Sequence, residues 1–183
     1  MRYVALLRGI NVGGNNTVPM AGLRKVFEDA GHTDVRTYIN SGNVVFDAPQ
    51  ARPAVLARHL EEAVRREFAV RTRILVLGGD RVRRIAAGLP DDWERNEQWS
   101  CNVLYLFPEQ ASPRALAAFG ADPQREEARY CAGAILHRVG RANVGRSALY
   151  RLHDALNDAV TIRTCRTARK LATLVAENGW RQA

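Results

Sequence analysis

One order of elements, met twice, constrains this chain more than any other feature. Residues 3–7 form a short apolar run fit for a strand, and residues 21–30 form an amphipathic helix with Leu23, Val26, Phe27 and Ala30 on one face. Residues 35–39 and 44–47 read as two strands about Asn40-Ser41-Gly42-Asn43, a hairpin turn signal. A second helix places Leu56, Leu60, Ala63, Val64 and Phe68 on one side, and residues 73–77 form a fourth strand. The order is β-α-β-β-α-β, that of ferredoxin-like domains.

After Gly78-Gly79, Asp80 caps a short helix over 81–89 that ends at Pro90, and residues 91–99 read as a polar connection. The order then recurs. Residues 102–107 form a strand and 113–119 a short helix, with strands over 128–131 and 135–139 about Ala132-Gly133. Ser147 caps a helix carrying Leu149, Leu152 and Leu156, residues 160–163 form the last strand, and a final helix carries Ala168, Leu171, Ala172 and Val175. The expected fold class is α+β: two tandem ferredoxin-like units packed together, over 1–78 and 101–183, joined by a helix and linker over 79–100. Each unit holds about 80 residues and so a small core. Trp93 and Trp99 flank the acidic connection and are read as packing between the units.

This topology brings two loops together. Strands one and two run the same way and strand three returns, so the end of strand one meets the turn between strands two and three. The first of these loops, residues 8–16, carries three glycines, three asparagines and an arginine at a strand-to-helix junction, where backbone N–H groups can face an anion. The candidate ligand-binding residues are therefore Arg8, Asn11, Gly13, Gly14 and Asn15 from the first loop, Asn40, Ser41 and Asn43 from the turn, and Arg36 from strand two. Arginine pairs with carboxylate or phosphate, and asparagine suits amide or base edges. Neither is a good general base, so the chemistry is recognition rather than turnover. The simpler alternative is that these glycines and asparagines only shape turns. The glycine run fits neither of the common nucleotide-binding signatures, GxGxxG and GxxxxGK[ST].

The same residues carry a family resemblance. Tyr3-Val4-Ala5-Leu6-Leu7-Arg8-Gly9-Ile10-Asn11-Val12-Gly13-Gly14, then Val18-Pro19-Met20 and Leu23-Arg24, resemble the bacterial family called domain of unknown function 1697. Thr37-Tyr38-Ile39-Asn40-Ser41-Gly42-Asn43-Val44-Val45-Phe46 resembles its second hallmark, and Gly145-Arg146-Ser147, Thr167 and Lys170-Leu171 resemble weaker ones. The resemblance implies a compact α+β protein of ferredoxin-like character and no particular activity. The family's last strand usually ends in a pattern like Arg-Asn-Trp-Asn-Thr, where this chain has Arg163-Thr164-Cys165-Arg166-Thr167.

Composition narrows the partners. Lys+Arg 27 against Asp+Glu 19 gives a net charge of +8, compatible with a polyanionic partner. Lysine occurs only at Lys25 and Lys170, so the basic balance can equally reflect arginine-rich composition. No membrane span and no secretory signal is read, which points to the cytoplasm. Cys101, Cys131 and Cys165 are odd in number and form no CxxC pair, and His32, His59, His137 and His153 are scattered, so no metal site and no cofactor is expected. Cys101 and Cys165 fall at the same end of neighbouring strands and are read as buried, inert thiols. Tyr3 and Phe46 occupy strands on which RNA-recognition domains stack bases, but are read as core. No catalytic residue stands out. The expected function is a binding module for a phosphate-bearing small molecule or a nucleic acid. The alternatives are an enzyme acting on a small anionic substrate and a protein-protein interaction module.

Overall fold

A computed structural model of the chain describes residues 1–14, 16–94, 96–152 and 156–177. It is a mixed α/β protein with two four-stranded antiparallel sheets. The chain divides into two compact units, one of residues 1–82 with the chain from Leu171 onward, the other of residues 83–170.

In the first unit the elements are β1 (Arg2–Leu7), α1 (Met20–Asp29), β2 (Thr33–Tyr38), β3 (Asn43–Asp47), α2 (Pro53–Phe68) and β4 (Ile74–Gly78), followed by α3 (Gly79–Ala87). The sheet order is β2-β3-β1-β4, with Leu6 opposite Asn43 and Leu7 opposite Ile74. One face of β1, β3 and β4 (Tyr3, Ala5, Leu7, Val44, Phe46, Ile74 and Val76) forms a core with the apolar stripes of α1 and α2. Phe46 stacks on Tyr3 with ring centroids 5.7 Å apart and meets Phe27 edge-on at 5.3 Å. Tyr3 and Phe46 are buried to 2% and 0% exposure, which leaves neither ring a face for a base. The opposite residues Val4, Leu6, Val45, Leu75 and Leu77 are also buried. That two-faced burial explains why β1 and β4 read as unbroken apolar runs rather than alternating ones.

The second unit contains β5 (Trp99–Leu106), α4 (Arg114–Phe119), β6 (Glu126–Cys131), β7 (Ala134–Gly140) and β8 (Val160–Thr164), then α5 (Cys165–Ala176), which continues past Leu171. Its sheet order, β6-β7-β5-β8, repeats that of the first. The helix expected from Ser147 does not extend as read. A 3-10 segment over Arg141–Arg146 leads into one turn, in which Ser147 Oγ accepts the Tyr150 N–H at 3.3 Å while its hydroxyl donates back to Val144 O at 2.8 Å. The cap forms, but the hydroxyl is shared with the preceding turn and the helical conformation ends by Leu152. Leu149, Leu152 and Leu156 still pack on the core around Leu104, Leu106 and Phe119, so the apolar spacing reported burial correctly.

The connection before β5 is held within its own unit. Trp93 is 1% exposed, with the Arg129 and Arg138 guanidinium carbons 5.4 and 5.2 Å from its ring centre. Arg169 donates to Pro90 O at 2.6 Å and to Trp93 O at 2.8 Å. Cys101 and Cys165 are buried and free, Cys101 Sγ donates to Glu94 O at 3.2 Å, and burial pushes the Cys165 thiol up to about 12. Thiolate chemistry at neutral pH is therefore closed to Cys165.

Candidate functional site

β1 ends where its neighbours turn, and three loops meet there. The first loop leaves β1 at Arg8. The β2–β3 turn lies beside it, because Leu7 N–H donates to Gly42 O at 2.8 Å. The loop between α2 and β4 lies on the other side, because Arg8 N–H donates to Arg73 O at 3.0 Å and Thr72 Oγ1 donates to Arg8 O at 2.7 Å. Antiparallel pairing of β1 with both β3 and β4 imposes this convergence.

Asn11 is the staple between the first two loops. Its side-chain amide donates to Val18 O at 3.0 Å and to Asn40 O at 2.9 Å, and its carbonyl accepts the Val18 N–H at 2.8 Å. Asn11 also takes a left-handed conformation (φ 55°), which asparagine tolerates better than most residues. Asn16 donates to Gly9 O at 3.1 Å. Asn43 is fully buried and donates to Tyr38 O at 3.0 Å and Ser41 Oγ at 2.9 Å, closing the turn from inside. These asparagines shape the loops.

Gly42 fits where no other residue would. It has φ +70°, and a Cβ there would lie 2.8 Å from Leu7 Cβ and from Ile10 Cδ1. The turn thus rests directly on the base of the first loop. By contrast Gly13 and Gly14 also have positive φ (59° and 78°) but open space where a side chain would stand. Their backbone is the exposed crest of the loop. Val12 beside it is 67% exposed. On the turn, Ile39 is 51% exposed with φ 48°, a strained conformation for a β-branched side chain.

The candidate residues separate accordingly. The structure brings Arg8, Asn11, Gly13, Gly14, Asn40, Ser41 and Asn43 to one end of the first sheet. Asn15 lies outside the described residues. Arg36 is engaged along β2, where its guanidinium pairs with Asp34 at 3.0 Å and with Glu177 at 3.1 Å. Asp34 also pairs with Arg2, at the opposite end of β1 from the loops. The Arg2 hydrogen bond holds Asp47 below the usual carboxylate range, so this cluster is a committed ion-pair network.

The third loop was not singled out by sequence reading. Its signal was present as Arg71-Thr72-Arg73, a basic and hydroxyl-bearing step between helix and strand. Thr72 also lines a cleft of about 270 Å³ along α2, together with Arg58, Glu61, Glu62, Arg65 and Arg71. Among the described residues, no group of three or more His, Cys, Asp or Glu side chains is arranged to hold a metal ion. No helix among them is long and apolar enough to cross a membrane.

A family profile described as "Protein of unknown function (DUF1697)" matches residues 1–137, a span that contains all three loops. This chain belongs to that family. The DUF1697 match thus covers β1, the first loop, the β2–β3 turn and the α2 cleft, and ends within β7. Among solved structures, that of the conserved bacterial protein SP0830 from Streptococcus pneumoniae is similar, with a TM-score of 0.78 and 26% sequence identity. The alignment covers 95% of this chain and 98% of that one. No curated protein matches the sequence.

Proposed function

We propose that this DUF1697 member is a non-catalytic binding module for an anionic, phosphate-bearing ligand, built on two tandem ferredoxin-like units. The observation that carries the reading is the first loop. Its shape is fixed by Asn11, Asn16 and Gly42, and its Gly13–Gly14 crest is exposed with open space around it. Gly9, Asn11, Asn16 and Val18, tied by the Asn11 and Asn16 hydrogen bonds, have less ordering entropy left to lose on binding. Arg8 stands at the root of the loop and supplies the charge, with its backbone locked between Arg73 and Thr72. Gly13 and Gly14 let the ligand approach the main chain, while Asn11, Asn40, Ser41 and Asn43 hold the frame. Phosphate in a nucleotide or a nucleic acid is the ligand class this frame fits best.

The test is fluorescence anisotropy with labelled single-stranded RNA, single-stranded DNA and duplex DNA, with inorganic phosphate and nucleotides as competitors, over a range of salt. Binding is expected to weaken log-linearly with salt. Arg8→Ala is expected to weaken it by about 1.5–3 kcal/mol, the scale of a charged hydrogen bond. Equal affinity of Arg8→Ala and the parent protein would remove the assignment.

A further inference from the structure

The cleft along α2 is lined by Thr72, whose hydroxyl donates to Arg8 O at the root of the first loop. We infer that it is a second anion subsite of the same site, so that the ligand carries two or more phosphates in series. This rests on the anion-binding reading of the first loop.

The carboxylates in the cleft are already committed. Glu61 turns inward, and its Oε1 accepts the Ile74 N–H at 2.8 Å. Glu62 accepts two hydrogen bonds from Arg65, from Nε at 3.0 Å and Nη2 at 2.8 Å. Arg58 has Glu61 and Glu62 three and four residues ahead, the spacing at which helix ion pairs form. It pairs with neither. Among the described residues, the side chains of Arg58 and Arg71 make no hydrogen bond or ion pair. Short-range pairs do form elsewhere, as Arg24–Glu28 on α1 and Arg65–Glu62 on α2. The cleft holds three arginines against two glutamates, and of these five groups it is Arg58 on the helix and Arg71 on the loop that make no hydrogen bond or ion pair among the described residues. Two planar, five-donor cations lining one cleft suit phosphate oxygens better than any neutral group.

Thr72 joins this cleft to the first loop. It lines the cleft, and its hydroxyl donates to Arg8 O at 2.7 Å. Arg71 and Arg8 are thus separated by one hydrogen-bonded residue. A single phosphate at the first loop leaves the cleft arginines unused, whereas a chain of phosphates runs from one to the other. Such a chain is either a free polyphosphate or the backbone of a nucleic acid.

The experiment is calorimetric titration of the full chain with inorganic phosphate, tripolyphosphate and decathymidylate. The parent protein is compared with Arg8→Ala, the double variant Arg58→Ala/Arg71→Ala, and Arg114→Ala as a control of like charge on the exposed start of α4. Tripolyphosphate is expected to bind at least tenfold more tightly than phosphate. The double variant is expected to lose that advantage while phosphate binding stays within twofold. For decathymidylate, losing two contacts is expected to reduce the slope of log K against log salt by about 1.4. Tighter binding of decathymidylate than of tripolyphosphate identifies a nucleic acid as the source, and the reverse identifies free polyphosphate. If the double variant binds tripolyphosphate like Arg114→Ala while Arg8→Ala is impaired, the cleft inference is overturned and the first-loop reading survives. If the parent protein binds none of the probes, both fall. Circular dichroism of each variant confirms that it is folded.

Discussion

Replacing Gly42 by alanine tests the claim that the turn rests on the base of the first loop. The new Cβ would lie 2.8 Å from Leu7 Cβ and from Ile10 Cδ1, and 3.0 Å from Ile10 Cγ1. Leu7 Cβ belongs to a strand paired on both sides, so it has no freedom to give. Holding alanine at φ +70° costs about 1–2 kcal/mol, and forcing the turn away from a packed neighbour costs about 1–3 kcal/mol more. Gly13→Ala carries the first penalty without the second, because its φ is +59° and nothing lies within 4 Å. The unfolded-chain effect of a glycine-to-alanine change is common to both and cancels. The difference between the two variants is therefore expected to be about 1–3 kcal/mol, or one to two decades in local opening. Hydrogen exchange at the Leu7 amide, which is bonded to Gly42 O, reads this directly. Urea midpoints by circular dichroism give the same comparison for the whole fold. If Gly42→Ala and Gly13→Ala accelerate Leu7 exchange equally, the close approach of the two loops is not what holds them.

Three further outcomes follow from the side-chain geometry. Asn11→Ala removes three hydrogen bonds at once and is expected to destabilise the first loop by about 1–3 kcal/mol, read as faster exchange at the Val18 amide. In the second unit, His137 and Glu126 form a buried pair at 2.7 Å, and the Asp122 and Ala148 N–H groups also donate to the carboxylate. Desolvation holds His137 below 6.5 against the pull of Glu126. Desolvation pushes Glu126 up, but its N–H donors and His137 outweigh this and leave it below 4.5. The unfolded chain therefore binds more protons on acidification, first below pH 6.5 through the histidine and then below 4.5 through the glutamate. Urea stability followed by tryptophan fluorescence is expected to fall across both windows, and Glu126→Gln to cost roughly 2–4 kcal/mol at pH 7. Ellman's reagent is expected to modify Cys131 alone in the native state, with Cys101 and Cys165 reacting only after unfolding.

The sheets were legible because their signals are local. Val44, Phe46 and the glycine-bearing turn announce a hairpin within ten residues, and the α1 and α2 stripes need only a helical period. The convergence of the first loop with the β2–β3 turn followed from topology alone, since the end of β1 must meet that turn. What the asparagines do there was not legible. Asn11 acts through Asn40 O, 29 residues away, and its type does not reveal whether its amide faces a ligand or a neighbouring carbonyl. The third loop was hidden for the same reason, because Thr72 reaches Arg8 across 64 positions. Arg36 illustrates the limit of counting cations, since Asp34 and Glu177 neutralise it where it stands. Ile39 in a left-handed conformation runs against its residue type, so tertiary context sets it rather than local preference.

The first unit is not contiguous in the chain. Its sheet and both its packed helices come from residues 1–82, yet residues from Leu171 onward belong to it, and Glu177 takes hydrogen bonds from Arg2 and Arg36. During synthesis the first unit therefore waits for its last segment while the whole of the second is made. At about 5–20 residues per second, that interval lasts roughly 5–20 seconds. Throughout it, Arg2 and Arg36 have their pairs with Asp34 and Asp47 but not their hydrogen bonds to Glu177, so that cluster is completed only after the second unit has been synthesised.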